Sequence, residues 1–115
     1  MKGGPQVSER IVKNADEVKL IVFACEAGMG SSLMGANQLK KMVKKAKLDI
    51  TVIHAPVSQM PEGADVVVTH KGLASQAKSK LPGAAIVPFE MFFNDPAVKG
   101  VVAKLKAGQA IESEL

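Results

Sequence analysis

The fold class predicted is α/β, a four-stranded parallel sheet flanked by helices, and three observations predict it. Four short apolar runs rich in β-branched residues recur along the chain: "KLIVFAC" (19–25), "DITVIHA" (49–55), "ADVVVTH" (64–70) and "AAIVPF" (84–89). Apolar runs with little polar alternation suit strands buried on both faces of a parallel sheet. The segments between them are helical in period or long enough for a crossover, and no hairpin signal joins any two runs. In the usual strand order 2-1-3-4, the second and third strands flank the first.

Each element has its own signal. Residues 1–17 are polar, with "GGP" near the start, and read as a tail or linker with a short helical turn around Glu9 to Lys13; the domain proper is expected over 18–115. From Ser32 to Ala46 the period is helical. Ala36, Leu39, Met42, Val43 and Ala46 share one face, while Lys40, Lys41, Lys44 and Lys45 lie on another. "PVSQMPEG" is a connection with room for one helical turn. Lys71 to Lys80 reads as a helix packing through Leu73, Ala74 and Ala77 and stopped at Pro82–Gly83. The last helix has Asn94 or Asp95 as N-cap, Pro96 at its first position, and Val98, Val101, Val102 and Leu105 on its apolar face; Gly108 stops it.

Bulk properties narrow the function. The 115 residues suffice for one domain with a core. No apolar run approaches the roughly 20 residues of a membrane span, and the N-terminus lacks the apolar segment of a signal peptide. A soluble, cytoplasmic protein is expected. The single cysteine cannot form an internal disulfide and suits a reducing compartment. The net charge of +4 could favour an acidic partner, but with no Trp or Tyr and only four Phe there is little for nucleic-acid bases to stack on.

That cysteine, Cys25, ends the first strand, where ligands gather in open α/β sheets. The turn after it, Glu26, Ala27, Gly28, Met29, Gly30, Ser31 and Ser32, supplies two glycines that let backbone N–H groups face one centre, then two hydroxyls at a helix start. Successive N–H groups and the positive helix end make an anion site, and such a field favours a thiolate. A thiolate so placed can attack phosphorus and hold the phosphoryl group. Other glycine loops fail. The nucleotide P-loop lysine is missing after Gly30, and Leu33 stands where the dinucleotide motif needs its third glycine. The cysteine phosphatase loop, C-x-x-x-x-x-R-[ST], has the right spacing, but Ser31 takes the place of the arginine that clamps the phosphate. The turn therefore suits a carrier better than a hydrolase.

The segment "ACEAGMGSSLMGANQLKK" resembles the active-site stretch of mannitol-type IIB components of the bacterial sugar phosphotransferase system, which typically reads A-C-D-A-G-M-G-S-S-x-M-G-A-x-x-L. "VVVTHKGL" (66–73) extends the likeness, which covers most of residues 19–107. The resemblance implies a fold similar to the low-molecular-weight tyrosine phosphatases. It implies that Cys25 takes a phosphoryl group from a phosphohistidine of a IIA component and passes it to a sugar alcohol held by the membrane IIC component, with no cofactor or metal. Association with the inner membrane face through IIC follows from the same likeness. Glu26 departs from the usual Asp, keeping the charge on a longer side chain, and the N-terminal segment looks like the linker preceding such domains in multidomain permeases.

Other residues weigh less. His54 and His70 end or nearly end the strands flanking the first, so either could approach Cys25 as a metal ligand, a base or a phosphoryl contact. Zinc would need three or four ligands. His70 matches the family's Thr-His and is a candidate for the loop or a docking surface; His54 has no motif support and reads as a surface or capping histidine. The lysines at 40, 41, 44, 45 and 47 read first as a solvated face and second as a docking surface. "PFEMFF" (88–93) reads as core and helix packing, and Met29 as an apolar tip beside the phosphoryl group. Two rival functions are a cysteine phosphatase and a phosphorylation-controlled IIB-like regulatory module.

Overall fold

The apolar run at 19–25 becomes the inner strand on which the rest is assembled. The structure is a computed structural model and describes residues 11–25, 31–90 and 96–113. In chain order its elements are β1 (Val12–Lys13), β2 (Leu20–Cys25), α1 (Ser31–Lys45), β3 (Thr51–Pro56), β4 (Val66–His70), α2 (Ala74–Lys80), β5 (Ala85–Phe89), α3 (Pro96–Lys106) and β6 (Ile111–Glu112). Short 3-10 turns occupy Ala15–Glu17, Val57–Gln59 and Lys71–Leu73.

The main sheet runs β3-β2-β4-β5, parallel throughout, which is the expected order 2-1-3-4 counted from β2. Alternation along β2 divides the core. Ile21 and Phe23 face α1 and α3, where Ala36, Leu39, Val43, Val98, Val101 and Leu105 are buried. Val22 and Ala24 face the other way, toward Ala74 and Ala77 of α2 and toward Val57 and Met60. Each fully buried Val, Leu or Phe contributes about 1.5–3 kcal/mol relative to exposure. The lysines of α1 at 40, 41, 44 and 45 are exposed, as the helical period predicts.

Helix ends follow one pattern with different residues. After α3, Gly108 takes φ +78°, its N–H reaching Leu105 O at 3.1 Å and the Gln109 N–H reaching Lys104 O at 2.7 Å. That is the left-handed terminus glycine permits. After α1 the same pair of bonds forms, Lys47 N–H to Lys44 O and Leu48 N–H to Val43 O, but the left-handed residue is Lys47 at φ 59°. At the amino end of the sheet, Asp65 Oδ2 accepts from the N–H groups of Lys19 (2.8 Å) and Leu20 (3.0 Å), fastening the start of β2.

Several expectations need correction. Within the segment read as a tail, Val12–Lys13 is a strand paired antiparallel with Ile111–Glu112, not part of a helical turn, and Val18 is buried. The short polar segment lacks the periodicity that would reveal a strand whose partner lies about a hundred residues away. That partner, β6, is as short and carries no local strand signal either. The helix expected from Lys71 begins as a 3-10 turn, because the His70 ring caps the Gly72 N–H. The caps Asn94 and Asp95, and Met91 to Phe93 of "PFEMFF", lie outside the described residues; Phe89 is buried as expected.

Candidate functional site

The strand order reverses at β2. The α1 crossover leads to β3 on one side, and the next connection leads to β4 on the other. The carboxyl end of β2 is thus the switch point of the sheet, where two crossovers diverge and leave a crevice. Cys25 is the last residue of β2, paired in register with Pro56, and its thiol is buried at 4% exposure. Helix α1 starts six residues later, at Ser31. Glu26, Ala27, Gly28, Met29 and Gly30, and the side chains of Ser31 and Ser32, lie outside the described residues.

In a parallel ladder, paired residues share a face and the side chains alternate. Phe23 pairs with His54 on β3 and with Val68 on β4. Cys25, two residues beyond Phe23, therefore shares a face with His54, and the two side chains meet: Sγ lies 3.1 Å from His54 Nε2. The Ala55 carbonyl also faces the thiol, at a much longer 3.9 Å. The contact with His54, its ring half-buried, corrects the reading of His54 as a surface or capping histidine. The parity was visible in the sequence, since Val52 and His54 alternate with Ile53 just as Ile21, Phe23 and Cys25 alternate with Val22 and Ala24. The offset between the strands was not.

His70 sits at the end of β4 with different partners. Its Nδ1 accepts the Gly72 N–H at 3.1 Å, and its ring meets Phe89 edge-on, centroids 5.9 Å apart. Phe89 in turn stacks on Phe23 at 5.1 Å. A Cβ on Gly72 would stand 3.3 Å from His70 Nδ1, so the glycine gives the cap room. Its neighbour Thr69, wholly buried, donates its hydroxyl hydrogen to the carbonyl of Ala24 at 3.0 Å, one residue before the thiol. Thr69 thus anchors the strand residue that precedes Cys25.

Leu33 and Met34, in the first turn of α1, are exposed at 48% and 60%. These apolar rim positions were not singled out from the sequence, because the helical period marks buried faces and is silent on apolar residues outside them. Among the described residues, no three His, Cys, Asp or Glu side chains group as a metal site, and no helix is long and apolar enough to cross a membrane.

Comparisons with known proteins agree with this geometry. The family described as "PTS system, Lactose/Cellobiose specific IIB subunit" matches residues 20–104, from the start of β2 almost to the end of α3. The chain is similar to the "PTS system mannitol-specific EIICB component" of Bacillus subtilis (strain 168), 47% identical over 91 residues, which are 79% of this chain and 19% of that protein. The component of the same description from Geobacillus stearothermophilus is 42% identical over 111 residues, 92% of this chain and 24% of its own length. A "PTS system mannitol-specific EIICBA component" from Buchnera aphidicola subsp. Acyrthosiphon pisum (strain APS) is 38% identical over 93 residues, 80% of this chain and 15% of that protein. The chain thus spans about a fifth of the length of the relatives it matches.

Proposed function

Because the chain belongs to the IIB family of the sugar phosphotransferase system, we propose that it is a phosphoryl carrier that works through a phosphocysteine on Cys25. The group arrives from a phosphohistidine of a IIA component and leaves to a sugar alcohol bound by a membrane IIC component, at whose inner, cytoplasmic face the domain docks. Mannitol is the proposed sugar, since the similar proteins are described as mannitol-specific. No cofactor or metal is required of this domain. The carrier unit includes the β1–β6 pair as well as the span from residue 18.

The single observation that carries this reading is the place of the only cysteine: buried at the carboxyl end of β2, at the switch point, six residues before a fifteen-residue helix. Both transfers are in-line displacements, and positioning and charge stabilisation do most of the work. In the first, the S–P bond forms as the donor's N–P bond breaks; in the second, O–P forms as S–P breaks. N–H groups of residues 26–32 are proposed to cradle the phosphoryl oxygens, with the α1 terminus adding its positive end. Ser31 in place of the phosphatase arginine favours storage over hydrolysis. His70 is proposed to support the docking surface from the end of β4, and Leu33 and Met34 to offer partners an apolar rim.

The test is intact-mass spectrometry after incubation with phosphoenolpyruvate, the general phosphotransferase proteins and a mannitol-type IIA. We expect one added phosphoryl mass of about 80 Da, absent in Cys25→Ser. An adduct that survives Cys25→Ser would overturn the assignment of the site. Turnover of p-nitrophenyl phosphate without a stable adduct would overturn the carrier reading in favour of a phosphatase.

A further inference from the structure

A thiol has one proton to give, and among the described residues two polar groups lie within reach of Cys25. The Ala55 carbonyl is 3.9 Å from Sγ, too long to hold that proton well, whereas Nε2 of His54 is 3.1 Å away. The imidazole is held there by the sheet. His54 sits mid-strand on β3, in register with Phe23, and β3 continues through Ala55 and Pro56 beside Cys25. The contact is between two strand residues of one ladder, and both side chains lie on the face covered by α1 and α3.

We propose that His54 is a catalytic residue of this site, the proton acceptor for Cys25 during phosphoryl transfer. This rests on the reading of Cys25 as the phosphoryl acceptor. In the first transfer the sulfur pair forms the S–P bond while the thiol proton passes to Nε2. The N–P pair returns to the donor imidazole, which leaves as a neutral ring carrying a proton on its other nitrogen. The imidazolium of His54 then lies beside the new phosphocysteine, a positive charge against the phosphoryl group. In the second transfer the sugar oxygen forms the O–P bond and its proton leaves to water. The S–P pair returns to sulfur, and Nε2–H faces the departing thiolate, ready to give the proton back. A pair of side chains one hydrogen bond apart, nucleophile and base, is one arrangement by which a thiol nucleophile is activated.

A merely structural histidine, packing the end of β3, would be replaced by glutamine with little chemical consequence, because an amide N–H can still hydrogen-bond the sulfur but cannot take its proton. The experiment compares wild type, His54→Gln and His54→Ala at neutral pH in two assays. The first is the rate of Cys25 alkylation by iodoacetamide, which needs no phosphotransferase partner; the second is the rate of phosphorylation by phospho-IIA. We expect alkylation to fall about tenfold or more, and phosphorylation about a hundredfold, in both variants. Alkylation of His54→Gln at the wild-type rate would overturn the proposal. Failure of the phosphocysteine reading itself shows differently, as an adduct that persists in Cys25→Ser. Should either variant fail to fold, the wild-type protein still decides. Alkylating Cys25 should move the imidazole nitrogen resonances of His54 in a ¹⁵N spectrum, and resonances that do not move would overturn the contact and the proposal with it.

Discussion

Thr69 donates its hydroxyl hydrogen to the carbonyl oxygen of Ala24, 3.0 Å away and wholly buried, so the strand that ends in Cys25 is held from the neighbouring strand by a side chain. Thr69→Val keeps the shape and removes the donor, leaving a buried carbonyl without this partner. The expected cost is about 1–3 kcal/mol in urea unfolding, with slower phosphorylation of Cys25 as the end of β2 loosens. Unchanged stability would mean that this bond contributes nothing net.

A second hydroxyl caps an edge of the sheet. Ser113 is wholly buried, and its Oγ accepts the N–H of Ile86 on the edge strand β5 at 2.9 Å, while its own N–H reaches Ile11 O at 2.8 Å. An edge strand presents unpaired N–H groups that would otherwise recruit another chain. Ser113→Ala is expected to cost about 1–3 kcal/mol and to speed hydrogen exchange at the Ile86 amide more than at Val22, in the centre of the sheet. Equal exchange at the two amides in the variant would refute this capping role.

The helix terminus at Lys47 offers the reverse change. A non-glycine residue in the left-handed region carries a strain of roughly 1–2 kcal/mol, part of which glycine returns as unfolded-state entropy. With φ at 59° and both terminal bonds formed, Lys47→Gly is expected to stabilise the fold by about 0.5–1 kcal/mol, read as a raised Tm. Gly108→Ala, at φ +78°, should lower Tm by a comparable or larger step.

Asp65 receives two backbone N–H groups on one carboxylate oxygen, from Lys19 and Leu20. Such bonds to a charged acceptor exceed ordinary ones, though this site is only partly shielded from water. Asp65→Ala should cost about 1–2 kcal/mol and Asp65→Asn less, because the amide oxygen still accepts. Denaturant midpoints measure both, and an Asn variant as unstable as the Ala variant would show that charge, not hydrogen bonding, holds the start of β2.

Strands β2 to β5, the three helices and the place of the thiol were legible in the chain because their signals are local. The run "LIVFAC" carries β-branched and apolar residues over six positions, Ala36, Leu39 and Val43 recur at helical spacing, and Pro96 and Gly108 punctuate α3. The absence of hairpin turns was enough to make the sheet parallel, and the apolar run ending at Cys25 was enough to put the thiol at a strand end. What the tertiary structure alone decided is which side chains meet across those elements. Periodicity says that His54 faces the same way as Val52, but not that β3 aligns Phe23 with His54 and so brings Nε2 to the sulfur while His70 turns to cap Gly72. Nor does it reveal that Val12–Lys13 finds Ile111–Glu112 and brings Ser113 to the edge of β5. Register and edge closure are set by hydrogen bonds between residues far apart in sequence, whose alignment depends on how the intervening crossovers pack, and no local pattern encodes that alignment.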